Sequence, residues 1–207
     1  AVQWVVNVLL RVGHGSVTIQ TDQENSIEAL ARAAATASSA RVLLRTSPVK
    51  SHGSQGAVER WFRALEEQVR VMKNGLEKAS GMTVESSDAI SHWLVRHAGW
   101  TYARFHAHQV LRSTAFRRLN GADYVGKVVL CGEKVLVLCA VDRVGAGPAR
   151  ASKFCNRWTA GVWNGKVDLS DEHLVVVSGL LGKFRTVRRF ADGDERKWDI
   201  PAMRAIT

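Results

Sequence analysis

The chain has 207 residues, of which 46% are hydrophobic and 23% charged, so it can form a packed core and is not expected to be disordered. No apolar run approaches the roughly 20 residues of a membrane-spanning helix, and no basic stretch precedes the apolar start, so we expect neither a membrane span nor a signal peptide. The net charge of +10 favours a polyanionic partner, nucleic acid ahead of an anionic membrane. A solvated basic surface is the alternative.

Helix and strand patterns alternate in the first part of the chain. A loop rich in Ser, Gly and Pro at 47–56 leads into the clearest amphipathic helix, whose apolar residues recur at helical spacing: Val58, Trp61, Phe62, Leu65, Val69 and Met72. The other predicted elements are a helix over 2–11, a strand over 16–21, a helix over 26–37, a strand over 41–46 and a long helix over 87–108. These patterns predict an α/β region over residues 1–120.

The pattern changes after residue 120, where short β-rich segments alternate with Gly, Asp and Asn. The segments lie at 128–130, 134–141, 159–163, 173–177 and 184–190. They predict a small all-β barrel over 121–192, followed by a frayed C-terminal tail over 193–207.

Cysteine usage indicates the compartment. Cys131, Cys139 and Cys155 are too few and too irregularly spaced for a disulfide framework or a CxxC metal site. We therefore expect a reducing environment and an intracellular protein, nuclear or cytoplasmic, that is not secreted.

Two acidic residues suggest metal chemistry. Asp22 ends the strand at 16–21, and Glu59 lies in the first turn of the amphipathic helix, with Gln55 and Arg63 four residues away on either side of it. Two converging carboxylates bind Mg²⁺ or Mn²⁺, because these ions prefer oxygen ligands. By spacing alone the ordinary reading is stronger, since Glu is favoured early in helices and Asp is common after strands.

The order of motifs supports the metal hypothesis through a family resemblance. The segment TIQTDQENSIEAL, followed by TSPVKSHGSQGAVERWFRALEEQVRVM, resembles the second and third acidic motifs of retroviral and retrotransposon integrases. HWLVRHAGWTYARFH resembles the helix that closes their catalytic core. STAFRRLNGADYVGKVVLCGEKVLV and WTAGVWNGKVDLSDEHLVVVSGLLGKFRTVRRF resemble the following segment and small β module of Copia-type polyproteins. The resemblance covers roughly residues 1–190.

The resemblance implies roles for individual residues. Asp22 and Glu59 would be two acids of a catalytic, metal-binding triad, in an RNase H-like core that is followed by an SH3-like barrel. The Mg²⁺ (or Mn²⁺) ions of that family act in DNA 3′ processing and strand transfer. The residues that would contact DNA are Lys50, His52, Gln55 and Arg63. From position at a strand end, Arg185, Arg188 and Arg189 are candidates for phosphate contacts, with a solvated surface as the alternative.

The resemblance is incomplete in two respects. The family's first acid has no counterpart in this sequence, and neither does its zinc-binding His/His/Cys/Cys module, so we expect no zinc and no strand transfer by this chain alone. Because the chain starts at Ala1 rather than Met, we expect it to be part of a longer product or a processed or truncated form. We also expect another chain or an N-terminal segment to cover the edge of strand 16–21, and a homo-oligomer is compatible with this.

Three functional interpretations follow from the sequence. The first is a nucleic-acid-binding fragment of a retrotransposon integrase. The second is a domesticated, non-catalytic structural or protein-binding subunit derived from an integrase. The third is a ribonuclease H-like nuclease, which would use the same metal chemistry.

Overall fold

The computed structural model describes residues 1–48, 56–138 and 157–206. The helices are α1 (Val2–Val12), α2 (Asn25–Ala37), α3 (Gly56–Ser80), α4 (Ala89–Phe105), α5 (Ala115–Asn120) and α6 (Ile200–Arg204), with a 3-10 turn at Glu195–Lys197. The strands are β1 (Ser16–Thr21), β2 (Arg41–Thr46), β3 (Ala107–His108), β4 (Ser113–Thr114), β5 (Lys134–Leu138), β6 (Trp158–Lys166), β7 (His173–Val177), β8 (Leu180–Phe184) and β9 (Val187–Arg189). The fold is mixed α/β.

Internal packing divides the chain into two units. Unit 1 comprises Ala1–Ala64 and Arg118–Gly121, and unit 2 comprises Leu65–Arg117 and Ala122–Thr207. The sequence analysis instead placed a boundary near residue 120. The difference concerns α4, which packs on β6 and belongs to the same unit as the C-terminal strands.

Unit 1 contains a two-stranded parallel sheet and its helices. The predicted helices and strands before residue 47 are confirmed, with β1 and β2 paired in parallel along their whole lengths. The two strands are joined through α2, as a parallel connection requires, and α2 packs against α1. Helix α1 ends at Gly13, which adopts a left-handed φ of 74° and donates its N–H to the Leu9 carbonyl.

The buried interior of unit 1 is small. Its buried hydrophobic side chains, among the residues described, are Val6, Ala31 and Ala34. Larger apolar side chains of the same unit, including Trp4 and Phe62, are exposed. The amphipathic pattern of α3 therefore correctly predicted the helix. The apolar side chains of its first two turns, however, are exposed rather than buried.

Unit 2 is organised around a five-stranded antiparallel sheet with the order β8-β7-β6-β5-β9. Its core is one cluster that includes Trp163, Val135 and Val175 from the sheet and Ile90 and Leu94 from α4. The sequence analysis predicted five strands in this region, but residues 128–130 are not a strand, and the segment predicted at 184–190 is divided between β8 and β9. Part of the predicted strand at 134–141 lies outside the described residues.

The segment after Gly193 does not behave as the frayed tail that was expected. It contains the 3-10 turn and α6, and Asp199 caps α6 by accepting a hydrogen bond from the Ala202 N–H at 3.1 Å. Met203 and Ile206 are buried in the core of unit 2. The apolar residues of this segment are divided between a 3-10 turn with its flanks and a five-residue helix, so they give little periodic signal.

Within the described ranges, no helix combines the length and the apolar composition needed to cross a membrane.

Candidate metal and nucleic-acid site

The carboxyl ends of β1 and β2 form a polar edge in unit 1. Ser47, the first residue after β2, donates its N–H to the Thr21 carbonyl at 2.8 Å. The Gln20 side chain donates to the Ser47 hydroxyl at 3.1 Å, and the Gln23 side chain donates to the Ser47 carbonyl at 3.3 Å. These bonds hold the two strand ends together where Asp22 begins the connection to α2.

Asp22 is exposed at this edge. Its Oδ1 atom accepts a hydrogen bond from the Glu24 N–H at 3.3 Å, just before α2 begins at Asn25. This is the ordinary turn role of an Asp after a strand. The carboxylate therefore helps the chain to turn into α2 while it remains accessible to a cation from solvent.

Glu59 lies in the first turn of α3, as predicted, and is exposed. Arg63 is one helical turn further along and is also exposed. Lys50, His52 and Gln55, which the sequence analysis assigned to DNA contacts, lie outside the described residues. The connection β1–α2–β2–α3 leads from the strand end that carries Asp22 to the helix start that carries Glu59.

In the ranges that the structure covers, no group of three or more His, Cys, Asp or Glu side chains is arranged to hold a metal ion. Asp22 and Glu59, which the sequence analysis assigned to Mg²⁺ or Mn²⁺, are both exposed, and carboxylate oxygens are the ligands that these ions prefer. Such a pair would leave most of the coordination sphere of a cation to water or to a phosphate oxygen.

The three arginines predicted to contact phosphate have different surroundings in unit 2. Arg185 is 91% exposed and lies 3.9 Å from Glu172. The Arg188 guanidinium lies over the Trp158 ring, 4.1 Å from its centroid. Both Arg185 and Arg188 are exposed residues, so their guanidinium groups can approach a phosphate.

Arg189 is held by a buried carboxylate. Its Nε and Nη2 atoms donate to Oε1 and Oε2 of Glu133, each at 2.7 Å, and Glu133 is fully buried. These hydrogen bonds raise the pKa of the Arg189 guanidinium above its usual value. The pair joins β9 to the residue before β5, so its first role is structural.

Unit 2 also contains a polar cluster around Trp163, which the sequence did not predict. The Trp163 indole N–H donates to Nδ1 of His173 at 3.0 Å, and the His97 ring packs edge-on against Trp163. Burial lowers the pKa of both His97 and His173 to about 4, with Arg96 adding to the effect on His97 and Lys166 to that on His173. His97 is a buried residue of α4.

The β6–β7 turn carries a further ionic network. Buried Lys166 contacts the Asp171 carboxylate at 2.6 Å, and the Tyr124 hydroxyl donates to the same carboxylate at 2.7 Å. Burial and the bond to Asp171 raise the pKa of Tyr124. The nearby Arg104 guanidinium packs over the Trp100 ring at 4.1 Å and pairs with Asp168 at 3.3 Å. The Tyr124–Asp171 and Arg104–Asp168 contacts join residues 47 and 64 positions apart, so they have no local sequence signal.

The exposed carboxylates of unit 1 thus suit a solvated cation, and the exposed arginines of unit 2 suit phosphate. No protein-family model, no curated protein and no solved structure matches this chain.

Proposed function

We propose that this chain is a nucleic-acid-binding part of an integrase-type protein of retrotransposon origin. The proposal includes an RNase H-like arrangement around β1 and β2 and an SH3-like arrangement of the C-terminal strands. The observation that carries it is the position of two exposed carboxylates, Asp22 at the end of β1 and Glu59 at the start of α3, in the order β1–α2–β2–α3. The ordered series of sequence motifs and the net charge of +10 support the same reading.

In this proposal the two carboxylates hold Mg²⁺ or Mn²⁺. A bound divalent ion would stabilise the negative charge of a phosphodiester. Arg63 lies on the exposed side of α3 near Glu59, where a guanidinium can bind a phosphate, and Lys50, His52 and Gln55 belong to the segment between β2 and α3. In unit 2, Arg185 and Arg188 supply further phosphate contacts, while Arg189 supports them by anchoring β9 to Glu133.

We expect binding without strand transfer from this chain by itself. The sequence contains no counterpart of the family's first acid, and two carboxylates bind a divalent ion more weakly than three. Catalysis would require a chain that supplies the missing ligand. Robust Mg²⁺-dependent joining of DNA ends by the purified 207-residue chain would contradict this expectation.

Salt dependence tests the nucleic-acid proposal. A fluorescein-labelled 20-base-pair duplex is titrated with the chain between 50 and 400 mM NaCl, and the affinity is measured by fluorescence anisotropy. Neutralisation of about five phosphates would give a slope of log K against log[salt] near −4.5. A slope near zero would contradict the proposal.

The metal assignment has its own test. Binding of Mn²⁺ is measured by electron paramagnetic resonance for the wild type, Asp22→Asn and Glu59→Gln, with Glu66→Gln as a control because Glu66 is another exposed glutamate of α3. Each site variant should weaken Mn²⁺ binding at least about tenfold, since one of two charged oxygen ligands is lost. Equal affinity in Glu59→Gln and Glu66→Gln would overturn the assignment.

A second candidate function is a non-catalytic, protein-binding subunit. The observation that favours it is the number of exposed apolar side chains in unit 1, from α1, β2 and the first turns of α3. A parallel sheet is usually covered on both faces, so this unit is suited to be completed by another chain or segment along β1 and β2. In this case Asp22→Asn and Glu59→Gln would leave function intact, whereas they would abolish activity in an integrase supplied with its missing part.

A further inference from the structure

Strand β8 is an unpaired edge of the five-stranded sheet in the described part of unit 2. It follows β7 through the two-residue turn Ser178–Gly179, in which both residues have positive φ, 50° and 79°. In such a hairpin the two residues that flank the turn form both hydrogen bonds with each other. From there on, the backbone N–H and C=O groups of every second residue point away from the partner strand. The backbone N–H and C=O groups of Leu181 and Lys183 therefore point away from β7.

The side chains along this edge are apolar at one end. Leu180 is 77% exposed and Leu181 is 51% exposed. Phe184, at the other end of β8, packs against the core of unit 2, so the apolar face of the sheet continues outward from Phe184 to Leu180. An added strand would cover both leucines.

The charges along the same edge are positive. Lys183 is exposed and takes part in none of the ion pairs formed by the described residues, and Arg185, just after β8, is almost fully exposed at 3.9 Å from Glu172. In an antiparallel second copy of β8 centred on Lys183, the two lysines would lie opposite each other, which like-charge repulsion opposes. An acidic strand would pair with both cations.

We propose that the β8 edge binds an extended peptide segment of another protein, in which acidic and apolar residues alternate, as a sixth strand of the sheet. In the antiparallel orientation, an acidic residue lies opposite Lys183, a second acidic residue lies near Arg185, and an apolar residue lies opposite Leu181. Main-chain hydrogen bonds to Leu181 and Lys183 supply affinity, and the side chains select the sequence. This proposal does not rest on the nucleic-acid binding proposed above, although both assign a contact to Arg185.

A short peptide provides a direct test. The capped, fluorescein-labelled probe Glu-Val-Glu-Val-Leu-Val is designed so that its second Glu lies opposite Lys183 and its Leu opposite Leu181. Binding to the full chain is measured by fluorescence anisotropy, and the contact is located from backbone amide shifts of β8 in ¹⁵N spectra. The Lys-Val-Lys-Val-Leu-Val peptide should bind at least about tenfold more weakly, because two attractive cross-strand pairs become repulsive.

Methylation of the probe separates strand pairing from charge attraction without altering the protein. An N-methyl group on the Leu of the probe removes an N–H that would bond to β8, and the affinity should fall about tenfold. An N-methyl group on the preceding Val, whose N–H would face away from β8, should change the affinity less than about twofold. Equal affinities of the two methylated probes would overturn the proposal.

Protein variants give the reciprocal test. Leu181→Pro removes the outward N–H and should abolish binding, while Leu181→Val retains it and should bind. Because Leu181→Pro could disturb folding, Lys183→Glu is used as well. This variant should bind the acidic probe more weakly and the lysine probe more tightly than the wild type does. The proposal fails if both probes respond equally to Lys183→Glu, or if Leu181→Pro dissociates a dimer of the free chain, which would identify a second copy as the occupant. It also fails if neither peptide binds the wild-type chain and Leu181→Pro lowers the affinity of the chain for duplex DNA.

Discussion

The two units of this chain differ in how their apolar residues are used. Unit 2 places Trp163, Val135 and Val175 in one continuous core. A long-range ion pair between Arg189 and buried Glu133 further joins the segments of this unit. Unit 1 leaves many of its apolar side chains at the surface, including Trp4 at 71% and Phe62 at 54% exposure. Regular helices and strands alone therefore do not show that a region is self-sufficient.

The physical reason for the difference lies in the number of layers. In unit 2 the interior strand β7 is buried along its whole length. In unit 1 the two-stranded sheet alternates between half-buried and exposed residues in β1, and most of β2 is exposed. Burial of apolar surface is the main driving force of folding, so unit 2 should be the more stable of the two.

The largest expected effect on stability comes from replacing a buried tryptophan, with an exposed tryptophan of the other unit as the comparison. Trp163→Ala removes a fully buried side chain from unit 2 and should lower the free energy of unfolding by about 3–5 kcal/mol. Trp4→Ala, in unit 1, should change it by less than about 0.5 kcal/mol because the ring is already exposed. Urea denaturation followed by far-UV circular dichroism measures both values. A large loss in Trp4→Ala would show that unit 1 depends on this ring for its own packing.

Hydrogen exchange compares the units without mutation. Amide protons of β6 and β7 should exchange at least about 100-fold more slowly than those of β1 and β2, since local opening is easier where little apolar surface is buried. Mass spectrometry of peptic fragments after deuterium labelling gives both rates. Equal protection in the two sheets would contradict the difference in stability.

Replacement of Arg189 should lower the stability of the protein more than replacement of Arg185. Arg189→Ala leaves Glu133 buried without its bidentate partner and should cost about 2 kcal/mol, less than for a fully buried pair because Arg189 is partly exposed. Arg185→Ala should cost less than about 0.5 kcal/mol, because an exposed, distant ion pair contributes little. Thermal unfolding distinguishes them, and equal losses would place Arg189 among the surface residues.

Acidification should weaken unit 2 through its two buried histidines. The pKa of His97 and of His173 is lowered to about 4 from the ordinary value of 6.5, so the unfolded chain binds more protons in that interval. The free energy of unfolding should therefore fall as the pH drops from 6.5 towards 4.

Urea titrations at pH 5 and pH 6 measure this slope. In His173→Gln the slope should decrease by nearly one proton, about 1.4 kcal/mol per pH unit. His108→Gln is the control, because that histidine is exposed. An unchanged slope in His173→Gln would exclude His173 as a source of the acid sensitivity.

Local patterns predicted much of the secondary structure. The strands at 16–21 and 41–46 coincide with β1 and β2, because β-branched and apolar residues of strand length are bounded there by turn residues. The positions of Asp22 after a strand and Glu59 at a helix start also followed from these patterns. The Mn²⁺ titrations proposed above test whether the two carboxylates share a metal.

The roles of individual basic and aromatic residues were less predictable. Arg188 and Arg189 are neighbours in sequence, yet Arg188 covers Trp158 and Arg189 bonds to Glu133, 56 positions away. Successive residues of a strand point to opposite faces, but only the position of the core decides which face is buried. Trp158 and Trp163 illustrate this, since only Trp163 is fully buried.

The sequence by itself therefore determined the helices and strands with a strong local period, the excess of positive charge and the candidate carboxylates. Tertiary structure alone decided that α4 packs with the C-terminal sheet, that Met203 belongs to the core and that β8 lies at an edge. Periodicity depends on residues within a few positions of each other, whereas burial and strand order depend on contacts between distant segments. For this reason the apolar face of α3 was visible in the sequence, but its exposure in unit 1 was not.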